Sequence, residues 1–126
     1  MADKIKYKDK KIAVVGVSDR EEKFGFKIFR DLLAQGFDVY GVNPRGGEVL
    51  GKQIYKSLKD LRPIPDVVIT VVPHQITERI VDECAVLGVK ELWMQLGSES
   101  DLAIQKAKKS NLNFYSGCFM ARNGIW

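Results

Sequence analysis

Lys11-Ile-Ala-Val-Val-Gly-Val17 is an apolar run opened by a single charge. A strand wetted on one face alternates apolar with polar residues, whereas an uninterrupted run of this length suits a strand covered on both faces. The run therefore predicts a buried strand over residues 11–17. Asp66-Val-Val-Ile-Thr-Val-Val72 has the same character and is ended by Pro73, which predicts a second central strand. Covered strands need helices between them, and the sequence supplies these. Ile28, Phe29, Leu32 and Leu33 recur at helical spacing within residues 26–35, before Gly36. Ile80, Val81, Cys84 and Leu87 do the same within residues 75–87, with Thr77 as a candidate cap and Gly88 as the stop.

The remaining segments fill in the order. Residues 37–42 predict a strand ended by Asn43-Pro44, residues 48–55 a short edge strand, and residues 57–61 one capped helical turn closed by Pro63 and Pro65. A strand over residues 91–96, a helix over 99–109 and a short strand over 113–116 complete the chain. Strands and helices alternating in this way predict an α/β fold: a doubly wound parallel sheet, Rossmann-like and three-layered, in a single domain. The expected domain runs from residue 11 to 126. Residues 1–10, with Lys4, Lys6, Lys8 and Lys10, are expected to be a flexible basic tail.

Composition agrees with one ordinary folded domain. The chain has 126 residues, 45% of them hydrophobic and 29% charged, which is enough apolar material for one core but not two. No apolar run approaches the roughly 18 to 20 residues that span a bilayer, so no membrane partner is expected. The charged start lacks the apolar stretch of a secretory signal, and the cytoplasm follows as the expected location. Two cysteines, Cys84 and Cys118, and one histidine, His74, fall short of a zinc ligand set, and no metal is expected. Much of the net charge of +4 is local to the start of the chain, where Lys4, Lys6, Lys8, Lys10 and Lys11 stand against Asp3 and Asp9. No basic stripe interleaved with aromatic residues accompanies it, so nucleic acid is not the expected partner. Trp126 hints weakly at docking on a neighbour, and the oligomeric state stays open.

In such a sheet, ligands sit beyond the carboxyl ends of the strands, where strand order reverses. The loops there are residues 16–25, 43–47, 73–76 and 97–98. Gly16 allows backbone N–H groups to approach a phosphate, the start of the following helix adds a favourable dipole, Ser18 offers a hydroxyl and Lys23 a charge. The same glycines also serve tight turns, so the loop alone is a weak signal. Its spacing is not G-x-G-x-x-G, and no acid stands where a nicotinamide dinucleotide site needs one for the ribose. Asn43-Pro44-Arg45-Gly46-Gly47 stands there instead. An arginine in that turn suits a ribose bearing its own phosphate, as in NADP or coenzyme A.

Several pieces in order carry a resemblance: Ala13-Val-Val-Gly-Val-Ser18, Val42-Asn-Pro44, Tyr55-Lys-Ser-Leu58, Val71-Val-Pro73, Leu92-Trp-Met-Gln-Leu-Gly97 and Gly117-Cys118. Together they resemble the coenzyme A-binding domain family, small stand-alone proteins related to the nucleotide-binding domain of the succinyl-CoA synthetase alpha subunit. The resemblance implies coenzyme A, or an acyl-CoA, as the cofactor. It places Gly16, Val17 and Ser18 under the phosphates, with Lys23 beside them. It places Val42, Asn43, Pro44 and Arg45 on the adenosine side, Arg45 meeting the 3′-phosphate. Val72, Pro73 and His74 would flank the adenine or the start of the pantetheine arm, and Gly97 the arm further along. Relatives often carry alanine where this chain has Val17, whose bulk would narrow the approach to phosphate. The synthetase's catalytic histidine lies in a domain absent from these residues, so no catalytic role passes to His74. The expected function is a non-catalytic binding or regulatory module. The alternative is an enzyme, or an enzyme subunit, that uses NAD(P) or an acyl-CoA.

Overall fold

The computed structural model describes residues 4–126. Seven strands form one sheet in the order β3-β4-β2-β1-β5-β6-β7. They are β1 (Lys11–Val15), β2 (Asp38–Val42), β3 (Glu48–Val49), β4 (Lys52–Tyr55), β5 (Val67–Thr70), β6 (Glu91–Met94) and β7 (Asn113–Ser116). All neighbours are parallel except β3, which turns back antiparallel on β4 at the sheet's edge. The helices are α1 (Phe24–Ala34), α2 (His74–Leu87), α3 (Asp101–Lys109) and the short α4 (Phe119–Arg122).

The first strand shows why its sequence carries no polar alternation. Ile12 and Val14 of β1 join a cluster with Ile28, Phe29 and Leu32 of α1 and with Phe119 and Met120 of α4. Ala13 and Val15 join a second cluster with Ile80, Val81 and Cys84 of α2 and with Ala103 and Ala107 of α3. Successive side chains thus enter opposite layers, and each fully buried Ile, Leu or Phe contributes about 1.5–3 kcal/mol. The three-layer Rossmann-like α/β domain expected from the sequence is the one observed.

Several local expectations change. The run over residues 66–72 forms β5 only over Val67–Thr70; the Val71 amide still donates to the Val15 carbonyl at 2.8 Å, and Val71 and Val72 line the hollow beyond the strand. Helix α2 begins at His74 with Pro73 as its cap residue, because the extended Pro73 presents its carbonyl to the amides of Ile76 and Thr77. Thr77 is therefore inside the helix and fully buried rather than capping it, and its Oγ1 finds no protein partner. The edge segment is a hairpin, not a single strand. Ser100, expected within the third helix, caps it through a hydrogen bond from the Ala103 amide to Oγ at 3.1 Å.

Residues 1–3 of the expected tail lie outside the described residues. Lys4–Tyr7 form a 3-10 turn, and Tyr7 is buried. Its ring packs edge-on against Phe119 with centroids 5.0 Å apart, and its hydroxyl donates to Glu91 Oε2 at 2.6 Å. Lys6 and Lys8 flank an anchor, so at Tyr7 the chain is tied down. No helix among the described residues is long and apolar enough to cross a membrane.

Candidate functional site

Chain order reverses between β1 and β5. After β1 the chain builds outward through β2 and β4, and then returns to place β5 against the other side of β1. The loops leaving these two strands must diverge there, which opens a crevice. Gly16 and Val71–Val72 meet at its floor. A Cβ on Gly16 would stand 2.3 Å from the Val71 carbonyl oxygen and 2.8 Å from Val72 Cγ1, and Gly16 has φ +107°. Both the backbone conformation and the space exclude a side chain.

Two hollows share Gly16 and Val72. One, of about 300 Å³, lies between the turn after β2 and helix α2, with Val42, Asn43 and Pro44 on one side and Ile76 and Ile80 on the other. The second, of about 370 Å³, lies over the start of α1 and takes in Ser18, Lys23, Pro73 and Gly97. A wider hollow of about 450 Å³ opens beyond Gly46 and Gly47 against Gln53 and Asp60, off the crevice.

Side chains hold these loops in place. Asn43 Nδ2 donates to the Val17 carbonyl at 2.8 Å, and its Oδ1 accepts from the Arg45 amide at 2.9 Å, so one residue ties both loops of the adjacent strands. Ser18 Oγ accepts from the Arg20 amide at 3.0 Å. The buried Ser98 accepts from the Val72 amide at 2.9 Å, which fixes the departure of the chain from β5. At the start of α1, Lys23 is the cap residue and its side chain forms no capping bond, and Lys23, Phe24 and Gly25 of this helix start line the second hollow.

The expected residues divide accordingly. Gly16, Ser18, Lys23, Val42, Asn43, Pro44, Val72, Pro73 and Gly97 line one hollow or both. Val17 does not. Its side chain is buried in the core beside Gly41, where an added Cβ would stand 3.0 Å from Val17 Cγ2. Its bulk is thus accommodated by the missing side chain of Gly41, and it does not narrow the loop as expected. Arg45 and His74 are exposed and lie outside the walls of both hollows. Lys56, Ser57, Arg79 and Glu83 on the first hollow, and Phe24 and Leu96 on the second, were not expected at the site, although Lys56, Ser57 and Leu96 fall within the pieces that carry the resemblance. Ile76, Arg79, Ile80 and Glu83 share one helical stripe, a spacing visible in the sequence.

The family model of the CoA binding domain matches residues 10–124. The chain belongs to the CoA-binding domain family. In sequence, this CoA-binding domain is similar to the alpha subunit of acetate–CoA ligase (ADP-forming) II of Pyrococcus furiosus, 41% identical over 63% of this chain and 18% of the subunit. It is also similar to the uncharacterized protein YneT of Bacillus subtilis, 28% identical over 81% of this chain and 76% of that protein. The chain spans only 12% to 20% of the length of the first three ligases it matches. Among solved structures, a hypothetical protein from Pyrococcus horikoshii superposes with a TM-score of 0.87 at 33% identity, covering 95% of this chain and 84% of that one. A conserved hypothetical protein from Pyrococcus furiosus gives 0.83 at 36% identity, covering 89% and 97%.

At the rim of the CoA-binding domain's crevice, His74 Nδ1 lies 2.9 Å from Glu78 Oε2, one helical turn along α2. The same oxygen accepts from Ser100 Oγ at 2.7 Å. The bond to His74, and then that to Ser100, hold the Glu78 carboxyl below the usual carboxylate range. Glu78 thus orients the His74 ring from one turn along the helix.

Proposed function

We propose that this chain binds coenzyme A, or an acyl-CoA, as a non-catalytic binding or regulatory module of the cytoplasm. One observation carries the reading: in a chain of the CoA-binding domain family, two hollows meet over Gly16 and Val72 at the point where strand order reverses. A nucleotide thiol cofactor is long and has two chemically distinct ends, and two joined hollows suit it. The pyrophosphate would lie across Gly16 to Ser18, against the uncapped first turn of α1 with Lys23 beside it. The adenosine would enter the hollow walled by Val42, Asn43, Pro44 and Val72, and the pantetheine arm would leave past Pro73 and Gly97. The free thiols Cys84 and Cys118 suit a reducing compartment.

Titration calorimetry of the whole chain with CoA, NADP and NAD tests this. Saturable binding of CoA with weaker binding of both dinucleotides is expected. Equal or tighter binding of NAD would overturn it.

A second reading has its own support. Several relatives are ADP-forming ligases many times longer than the part this chain matches. The chain would then be the CoA-handling part of an acyl-CoA-using enzyme that needs a partner subunit. Turnover of an acyl-CoA by the chain alone or with a co-purified protein would favour this reading over a passive module.

A further inference from the structure

The hollow between the β2 turn and α2 carries two cations on separate elements. Lys56, just after β4, reaches it from the strand side, and Arg79, on the second turn of α2, from the helix side. Lys56 is directed by a neighbour that lacks a side chain. A Cβ on Gly46 would stand 3.1 Å from Lys56 Cε and 3.2 Å from Lys56 Cγ, so the lysine stem lies across the backbone of that turn, and Lys56 borders both this hollow and the wider one that Gly46 lines. The ion pairs among the described residues involve neither Lys56 nor Arg79. Glu83 lines the same hollow one turn beyond Arg79, which leaves these three side chains with one net positive charge. Below them the walls are apolar, with Val42, Leu58, Ile76 and Ile80. A largely apolar hollow that carries two cations suits a purine nucleoside with a phosphate on its ribose. Arg45, the residue expected to meet that phosphate, is exposed and lines no part of this hollow.

We propose that Lys56 and Arg79, rather than Arg45, bind the ribose 3′-phosphate of the cofactor. The proposal rests on the reading that a CoA-type ligand occupies the crevice. The guanidinium of Arg79 offers paired donors to two phosphate oxygens, and the Lys56 ammonium neutralises the remaining charge from the opposite element.

Calorimetric titration of the whole chain with CoA and with dephospho-CoA, which differ only in that phosphate, tests it. Wild type should prefer CoA by about tenfold or more, as a charge-assisted phosphate contact provides. Lys56→Ala and Arg79→Ala should each weaken CoA while leaving dephospho-CoA nearly unchanged, and Arg45→Ala should keep the preference. Both cations are exposed, so these truncations leave the core intact; Lys56→Arg and Arg79→Lys retain the charge and should retain part of the preference. Equal wild-type affinity for the two ligands would overturn the proposal. So would a preference that survives the Lys56/Arg79 double variant and disappears in Arg45→Ala. If wild type bound neither ligand, the CoA reading itself would fall, a result distinct from CoA binding without discrimination.

Discussion

The carbonyl oxygen of Gly16 and the α-carbon of Gly25 approach so closely that a Cβ on Gly25 would stand 2.0 Å from that oxygen. Gly25 is the second residue of α1, and Gly16 follows directly on β1. The two glycines therefore let the helix start against the loop that precedes it. That contact brings the first-turn amides of α1 and the end of β1 to one spot, which is what an anion bound there requires.

Replacing Gly25 by alanine should separate the two. The added methyl meets backbone, which cannot swing aside, and overpacking of this kind costs about 1–3 kcal/mol. Gly16→Ala adds a left-handed backbone conformation to a clash with the Val71 carbonyl and should cost about 2 kcal/mol or more. Denaturant unfolding gives the loss of stability, and titration with CoA should show weaker binding in whatever fraction stays folded. Unchanged stability of Gly25→Ala would show that the loop and helix are not in fact pressed together.

Tyr7 yields a prediction about alkaline pH. Burial, and then the hydrogen bond to Glu91, hold its hydroxyl protonated well above the usual tyrosine range. The native state thus keeps a proton that the unfolded chain releases above about pH 10. The associated stability is fully present below that pH and is lost as pH rises further. Tyr7→Phe should remove this alkaline loss. At neutral pH it should cost about 1.5–3 kcal/mol, the worth of a hydrogen bond to a charged acceptor. Thermal unfolding of both proteins between pH 7 and about pH 11 checks it. Identical curves would mean that residue 7 is not anchored.

The two thiols should behave differently. Cys84 is fully buried on α2, and burial pushes its thiol up to about 12. Cys118 is half-buried at the cap of α4, where Sγ accepts from the Ala121 amide at 3.4 Å. Thiolate is the reactive form, and access is needed as well. Under native conditions a thiol reagent should modify Cys118 first, with Cys84 following only on unfolding. Mass analysis of the singly labelled protein locates the label, and a native label on Cys84 would contradict the packing of α2.

The difference between what was legible and what was not lies in how far apart the interacting residues stand. The strands β1 and β5 could be read because Ile12 to Val15 and Val67 to Ile69 are apolar without interruption, a property of each segment alone. The stop of α2 was equally local: Gly88, with φ +82°, takes the left-handed position that ends the helix. Helix α4 was missed because four residues are too few to display a helical period; the amide of Phe119 is held by Gln95 Oε1 from another loop at 2.7 Å. Tyr7 read as part of a tail because lysines flank it, whereas its partners Glu91 and Phe119 lie more than 80 residues away.

The candidate site divides in the same way. Gly16, Ser18 and the Asn43-Pro44 turn stood out by residue type and by their place after strands. That Asn43 would hold the Val17 carbonyl, and that Val17 would turn inward over Gly41, follows only once β1 and β2 lie side by side. The sequence by itself determined which segments must be buried on both faces, because apolar side chains without polar alternation have nowhere else to go. Only the tertiary structure decided that Lys56 and Arg79 share a hollow and Arg45 stays outside it, because the direction of an exposed charged side chain depends on the backbone it lies across and not on its own solubility.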